Sequence, residues 1–436
     1  MEQSCRWSRA RLIEHQRASV DALRRFAYAQ SPFYARFHRG LESAPLERLP
    51  VLTKRVLMEN FDDLVTDRAV RLADAEAYLA SGREDGLFRD RYVVLATSGS
   101  TGFRGLFLFD PDEWVTALAL ITRPVKWAGV KPNPLRPARA AMITSMTNSH
   151  YSAQVGSALQ SWLVPTIRMD AADPMPEIVA KLNAWQPEMV GAYPSVWREL
   201  AAEQIAGRLR ISLKHAHSSA EALTPDVRRQ AERAWGIKIY NVYGATEYAP
   251  IAAECQFGNM HLLEDGALIE IADERGPVAM GVTGDRVLIT VFDRRTQPLI
   301  RYEISDMVKS IAGQCECGRP FQLIDAIEGR QEDVLSFDSR AGEAISVHPN
   351  DFHRVLETVP AAGWQVIQDE DALRVLLVGL GDAGLCESIG GSICSLLESK
   401  GIAAPPVDVR PVSELRRGST GKAPLVLANR ARGAKS

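Results

Sequence analysis

Apolar residues recur at helical spacing near the start of the chain. Leu12, Val20, Leu23 and Phe26 share one face of residues 8–40, and the pattern predicts an amphipathic helix ending near Ser31-Pro32. A second helical stretch is expected from Leu52-Thr53-Lys54. From Tyr92 onward, short continuous apolar runs alternate with longer amphipathic ones. Tyr92-Val93-Val94-Leu95-Ala96, Ala140-Ala141-Met142-Ile143 and Met189-Val190-Gly191-Ala192 read as buried strands, with Met175–Trp185 and Pro225–Trp235 as helices. This alternation predicts an α/β architecture with parallel strands. Beyond about residue 260 the pattern changes to short strands at 267–271, 286–292 and 306–311, which predicts an antiparallel or barrel-like subdomain. The C-terminal part shows one strand-like run at 373–378, one helix-like run at 386–400 and a final loop. No internal repeat or low-complexity tract interrupts the pattern.

At 436 residues the chain exceeds an average domain, so two domains are expected. Apolar residues make up 46% and charged residues 24%, an ordinary globular mix. A net charge of −3 gives no reason to expect a nucleic acid or an anionic membrane as partner. No apolar run approaches bilayer length. Arg6, Arg9, Arg11 and Arg17 crowd the N-terminus without an apolar core behind them, so the segment is not a secretory signal. An Arg-rich, acid-poor start also suits an organelle transit peptide, but it runs on into the predicted helix, and a cytoplasmic location is expected.

Candidate chemistry begins directly after the first strand-like run. Thr97, Ser98, Gly99, Ser100, Thr101 and Gly102 combine hydroxyls with glycines that let the backbone approach a ligand closely. Such a loop can cradle phosphate, and it can equally be an ordinary turn. Three later segments bear on the choice: Tyr240-Asn241-Val242-Tyr243-Gly244-Ala245-Thr246-Glu247-Tyr248, Leu299-Ile300-Arg301-Tyr302-Glu303-Ile304-Ser305-Asp306, and Gly418-Ser419-Thr420-Gly421-Lys422-Ala423-Pro424. In order and spacing the four resemble adenylate-forming enzymes (acyl-CoA ligases, adenylation domains and luciferases), and among these the phenylacetate–CoA ligase branch. The resemblance extends from about Ser31-Pro32-Phe33-Tyr34 to Arg430.

The resemblance implies a large N-terminal domain (1–329) with parallel sheets plus a barrel-like part. A mobile, small α+β C-terminal domain (330–436) would follow a hinge at Gly329-Arg330-Gln331-Glu332-Asp333. It also implies a reaction in which a small carboxylic acid attacks the α-phosphorus of ATP and leaves as an acyl adenylate. Two anions must meet, so cations and fixed donors are required around the phosphates. Glu247 suits Mg²⁺, which favours one or two carboxylates plus phosphate oxygens. By resemblance, Thr246 contacts the α-phosphate, Tyr243 and Gly244 lie beside the adenine, and Ser219-Ala220-Glu221 wrap it. Asp306 corresponds to the ribose-binding carboxylate and Arg330 to an arginine approaching ribose and phosphate. A capped turn or surface ion pairs would leave the same residues. Lys422, between Gly421 and Ala423-Pro424, corresponds to the lysine of the adenylation step, where a flexible point charge can bridge carboxylate and phosphate.

The acid itself is expected beside His150, Tyr151, Ala192, Tyr193 and Pro194, where two tyrosines would suit a flat aromatic or unsaturated molecule. His150 is as readily a packed histidine as a carboxylate partner. Two departures from the pattern matter. Phe103-Arg104-Gly105 stands where relatives have Lys-Pro, and it also lacks the Gly-Lys-Ser/Thr of a P-loop phosphotransferase. The stretch 334–349 is longer and more polar than a segment lining a pantetheine tunnel. The acceptor therefore stays open between CoA, the first expectation, and a carrier-protein thiol, an amine or another nucleophile.

Of six cysteines, Cys315 and Cys317 form a C-x-C pair, and Cys255 shortly precedes His261. Three thiolates and one imidazole match a closed tetrahedral zinc site, against free buried thiols beside an unrelated histidine. Cys5, Cys386 and Cys394 read as unpaired. A zinc-stabilised scaffold that keeps the nucleotide fold without turnover is the competing function, disfavoured by the joint presence of Thr246, Glu247, Asp306, Arg330 and Lys422. A homodimer fits what the branch implies.

Overall fold

The computed structural model describes residues 3–82, 86–97, 104–131, 133–330, 334–339, 344–347, 349–356, 358–361, 363–369, 372–418 and 422–427. At positions 326, 328, 330, 350, 353 and 354 it describes the backbone alone. Ser8 caps the first long helix, Arg9–Gln30, by accepting the amide of Arg11 on its hydroxyl. Ser31 then closes that helix and opens the next. Its amide donates to the Ala27 carbonyl, while its hydroxyl caps Pro32–Phe37. Pro32, with no amide to donate, is accepted in a first turn but cannot extend the helix before it. The break expected at Ser31-Pro32 thus follows from local chemistry.

The strands in chain order are β1 (Val93–Ala96), β2 (Leu106–Phe109), β3 (Ala140–Thr144), β4 (Thr166–Asp170), β5 (Met189–Ala192), β6 (His215–Ser219), β7 (Ile239–Tyr243), β8 (Ala252–Glu254), β9 (Met260–Leu262), β10 (Ala267–Asp273), β11 (Gly276–Pro277), β12 (Thr283–Gly284), β13 (Arg286–Val291), β14 (Tyr302–Ile304), β15 (Asp306–Ile311) and β16 (Leu323–Arg330). A 10-stranded sheet takes the order β12-β15-β16-β9-β8-β7-β6-β5-β3-β4. Its β7-β6-β5-β3-β4 half is parallel and the remainder antiparallel. The chain runs from β3 out to the edge at β4, then returns to the other side of β3 for β5. Such a reversal opens a crevice at the carboxyl ends of the strands.

The expected helices Met175–Trp185 and Pro225–Trp235 are present with those limits. With Pro194–Ile205 they cover one face of the parallel half. There Ile143, Val190 and Ala216 pack against Leu182, Val196, Leu200 and Val227. Thr224 caps the helix that begins at Pro225, and Gly236 in the left-handed region ends it. The run 92–96 is a buried strand as expected, but β1 pairs only with β2, in a two-stranded hairpin outside the main sheet. The short strands after residue 260 divide between two sheets. β10 and β13 join β11 and β14 in a four-stranded antiparallel sheet, whereas β15 joins the large one.

The smaller C-terminal domain adds β17 (Leu335–Asp338), β18 (Ala344–Val347), β19 (Gly363–Gln368), β20 (Leu373–Val378), β21 (Val407–Val412) and β22 (Val426–Leu427), with helices Pro349–Leu356 and Leu385–Ser399. Its core, including Leu335, Phe352, Val366, Val375, Ile393 and Val426, is its own. The single strand expected here was an undercount. β19 hides its signal because Gln365, at 0% exposure, interrupts the apolar run. That glutamine donates to the carbonyls of Arg416 and Pro424 and accepts the Arg416 amide, so its polarity is satisfied by the C-terminal loop. The expected hinge falls at the end of β16, with Gln331, Glu332 and Asp333 outside the described residues. Among the described residues no helix is long and apolar enough to cross a membrane.

His38 lies at 0% exposure among the rings of Tyr28, Tyr34 and Phe37, and neither ring nitrogen has a hydrogen-bond partner. Burial, aided by nearby Arg24, pushes its pKa down to about 4 from 6.5. Between those values the unfolded chain binds the proton and the folded one does not. Stability is therefore full above pH 6.5 and falls as the pH drops toward 4, by at most about 3 kcal/mol for this group. Urea unfolding across that range should show a shallower pH slope in His38→Leu than in the parent. Equal slopes would rule the histidine out as a source of acid sensitivity.

Candidate active site

The carboxyl ends of β3, β5, β6 and β7 surround a cavity of about 1400 Å³. This exceeds the roughly 300–1000 Å³ of a single small-molecule pocket. Its wall includes Thr97, His150, Tyr151, Ala192, Tyr193, Ser219, Ala220, Gly244, Thr246, Glu247, Asp306 and Lys422. Thr97 closes the neck of the loop that follows β1. Its amide donates to the Gly105 carbonyl and its hydroxyl accepts the Gly105 amide, both at 2.9 Å. Ser98, Gly99, Ser100, Thr101 and Gly102 lie outside the described residues. After β6 the backbone turns sharply at Ala220, whose φ of 71° is left-handed and uncommon for a residue with a Cβ. Gly244 tolerates no side chain, because a Cβ there would lie 2.7 Å from that of Ala249.

Two carboxylates on the wall are held by tyrosines. Tyr302 donates to Glu247 Oε1 at 2.9 Å, and Tyr243 donates to Asp306 Oδ2 at 2.7 Å. Both carboxylates are 5% exposed. Burial and the Glu247 charge hold the Tyr302 hydroxyl far above its ordinary pKa, so it stays a donor. Glu247 can thus present an oriented oxygen to a cation, and Asp306 can accept from sugar hydroxyls. In backbone register, Asp306 pairs with Arg330 across β15 and β16.

Lys422 reaches the cavity from the C-terminal domain, its Nζ 5.5 Å from the centre of the Tyr193 ring. The next amide, of Ala423, donates to Glu221 Oε1 at 3.1 Å. Glu221 also accepts the amide and hydroxyl of Ser195, at the start of helix Pro194–Ile205. Its carboxyl group therefore joins a helix N-terminus to the lysine loop, and burial raises its pKa, an effect that the Ser195 amide, the Lys422 charge and the Ala423 amide only partly offset. Glu221, Tyr243 and Pro194 are not among the residues lining the cavity, whereas their neighbours Ala220, Gly244 and Tyr193 are. Strand alternation turns Tyr243 into the core toward Asp306, and Pro194 is spent on the first turn of its helix. Arg417 pairs with Glu199 on that helix, a second tie between the domains.

At the other side, His150 Nδ1 is 2.7 Å from Ser145 Oγ. Burial, then the charges of Lys422 and Arg104, lower its pKa, which leaves a neutral ring near the lysine. The Tyr193 hydroxyl accepts the Ser145 amide at 2.9 Å, and the Tyr151 hydroxyl donates to the Ala249 carbonyl at 2.9 Å. Arg104 donates to Ser149 Oγ. Sequence reasoning passed over Ser145 and Tyr302. Tyr302 lies within a quoted motif, but only the fold brings it beside Glu247.

Away from the cavity, the ligand atoms of Cys255, His261, Cys315 and Cys317 lie within 4.8 Å of one another. The sulfurs of Cys255 and Cys315 are 3.6 Å apart, and Cys317 Sγ is 3.3 Å from His261 Nε2. A tetrahedron with Zn–S bonds of about 2.3 Å has edges of roughly 3.8 Å, so the donor set fits zinc. Burial raises the Cys255 thiol. Burial also opposes ionisation of Cys315, but amide donors from Cys317 and Asn259 outweigh it and hold that thiol below its ordinary value.

Residues 84–289 match the family model described as AMP-binding enzyme. A phenylacetate-coenzyme A ligase of Thermus thermophilus is 25% identical over 373 residues, covering 81% of this chain and 76% of that protein. One from Escherichia coli is 26% identical over 257 residues, 56% of each chain. In fold, the chain is similar to a 2-hydroxyisobutyryl-CoA ligase solved in its postadenylation state with an acyl-AMP. The TM-score is 0.72 at 20% identity, over 96% of this chain and 90% of that one.

Proposed function

We propose that the chain acts as an adenylate-forming ligase of the phenylacetate–CoA ligase-like kind, a reading its similarities support, and that its cavity joins an organic acid to ATP and then hands the acyl group to CoA. The observation that carries this reading is the meeting of Glu247, Asp306 and Lys422, distant in sequence, on one wall. A carboxylate oxygen of the acid attacks the α-phosphorus. The bond from that phosphorus to the bridging oxygen breaks, and pyrophosphate leaves.

Lys422 stands between the two anions and offsets their repulsion as they approach. Thr246 donates to the α-phosphate, and Thr97 with Ser98, Gly99, Ser100, Thr101 and Gly102 cradles the outer phosphates. Ser219, Ala220 and Gly244 present backbone to the adenine, while Asp306 and Arg330 take the ribose side. Mg²⁺, when bound, supplies positive charge to the phosphate oxygens, and Glu247 is the residue that would hold it. In the second step the CoA thiol loses its proton, its sulfur attacks the acyl carbon, and AMP departs. Tyr151 and Tyr193, whose hydroxyls bond to backbone groups, offer their rings to the acid. Zinc at Cys255, His261, Cys315 and Cys317 would pin β8 and β9 to the loop after β15 and take no part in the reaction.

Lys422→Ala should lower acid-dependent pyrophosphate–ATP exchange by about 10²–10³-fold without lowering the melting temperature. Undiminished exchange would remove the lysine from the reaction. Exchange in the parent without thioester on adding CoA would redirect the second step to another acceptor. The purified chain should carry one zinc, and Cys315→Ser should lose it together with thermal stability. A metal-free chain with the same melting temperature as the zinc-loaded one would defeat the zinc assignment.

A further inference from the structure

The two faces of the parallel sheet are filled differently. On one, Ala141, Ile143, Val190 and Ala216 are essentially sealed beneath helices. On the other, Met142 pairs with Gly191 and Gly191 with His217, so the three form one rung across β3, β5 and β6. All three are only half-buried, and all three line the cavity. A Cβ built on Gly191 would meet nothing within 4 Å, so the sheet is open above that residue.

The cavity does not stop at this rung. Its wall runs from Thr144, at the carboxyl end of β3, to Ala140 at the amino end. Four residues of strand span about 13 Å. The wall beside this strand is mainly aliphatic, with Val125, Val130, Val155 and Leu159, and its polar members Thr122, Gln160, Ser161 and Thr166 are uncharged. His217 is held neutral, its pKa pushed down to about 4 by burial. Among the described residues lining this branch none is acidic, and cations enter only at the far mouth, where Lys126 and Lys131 are exposed.

We propose that this branch is an acyl tunnel and that the enzyme's acid is a straight-chain aliphatic carboxylic acid of medium length. At roughly 1.25 Å of extension per C–C bond of about 1.5 Å, a 13 Å branch takes a chain on the order of ten carbons. The identity of the acid as the species activated rests on the adenylation reading above. The walls supply dispersion and water exclusion, and among the described residues lining the cavity no phenyl, phenol or indole ring is present beyond Tyr151 and Tyr193. Each methylene that enters such a wall tightens binding by about fourfold.

The test is pyrophosphate–ATP exchange across butyrate, hexanoate, octanoate, decanoate, benzoate and phenylacetate. In parallel, decanoate binding is measured by calorimetry without ATP. The tunnel predicts kcat/KM rising about threefold to fourfold per methylene up to decanoate, and decanoate exceeding both aromatic acids. Gly191→Val, whose added atoms fill the open space, should cut the decanoate-to-butyrate ratio at least tenfold and weaken decanoate binding, with the melting temperature retained. Val155→Trp blocks from the opposite wall and serves if the first variant does not fold. A flat chain-length profile, an aromatic acid in first place, or a ratio unmoved by either variant overturns the tunnel. Exchange absent with every acid while decanoate binds and Gly191→Val abolishes that binding defeats the ligase reading and keeps the tunnel. Absence of decanoate binding to the parent chain defeats the tunnel itself.

Discussion

The parallel half of the large sheet buries one face completely and leaves the other half-covered, and the cavity exists because of that difference. Helices Met175–Trp185, Pro194–Ile205 and Pro225–Trp235 seal the first face with a continuous apolar core. Opposite, helices Pro111–Trp127 and Tyr151–Ala158 stand over a surface carrying Gly191 and partly exposed Met142 and His217. The sealed face supplies rigidity, and the uncovered one supplies room. Because the strand order reverses between β4 and β5, the room opens where the strand ends deliver backbone turns and polar side chains.

Rigidity matters because each polar group on the wall is fixed by a neighbour from elsewhere in the fold. Tyr302 belongs to β14 of the four-stranded sheet, yet its hydroxyl orients Glu247 after β7. Tyr243 at the end of β7 orients Asp306 at the start of β15. Buried charge is costly unless hydrogen-bonded, so these tyrosines both permit and aim the carboxylates. Aiming before a ligand arrives is what lets fixed charges act on a reaction without reorganising.

Among the described residues, Lys422 is the part of the wall contributed by the C-terminal domain, and the attachment of its loop is polar. Glu221 receives the Ala423 amide, and Arg417 meets Glu199. Ties of this kind hold position yet can be exchanged for water at modest cost, unlike the interdigitated core beneath the sheet. The domain carries its own core, so such an exchange would leave it folded.

Several features were settled by the residues themselves. Helix limits at Pro225 and Trp235 followed from a capping Thr224 and a terminating Gly236, and the break at Ser31-Pro32 from a missing amide. These are short-range effects, complete within a few residues. The candidate site was legible only through a resemblance, since the motifs bearing Thr97, Gly244, Thr246, Glu247, Asp306 and Lys422 match a family pattern in order and spacing, and all six line the cavity. What the residues could not disclose depends on distant partners. Gln365 looks like a break in a strand until Pro424 and Arg416 satisfy it. Tyr302 is an ordinary strand residue until β14 is set beside the turn that bears Glu247. Met142, Gly191 and His217 read as strand positions like their neighbours. Only the packing of helices against one face and not the other makes them the floor of a tunnel, because empty space is a property of how elements stand apart, and no single stretch of chain encodes it.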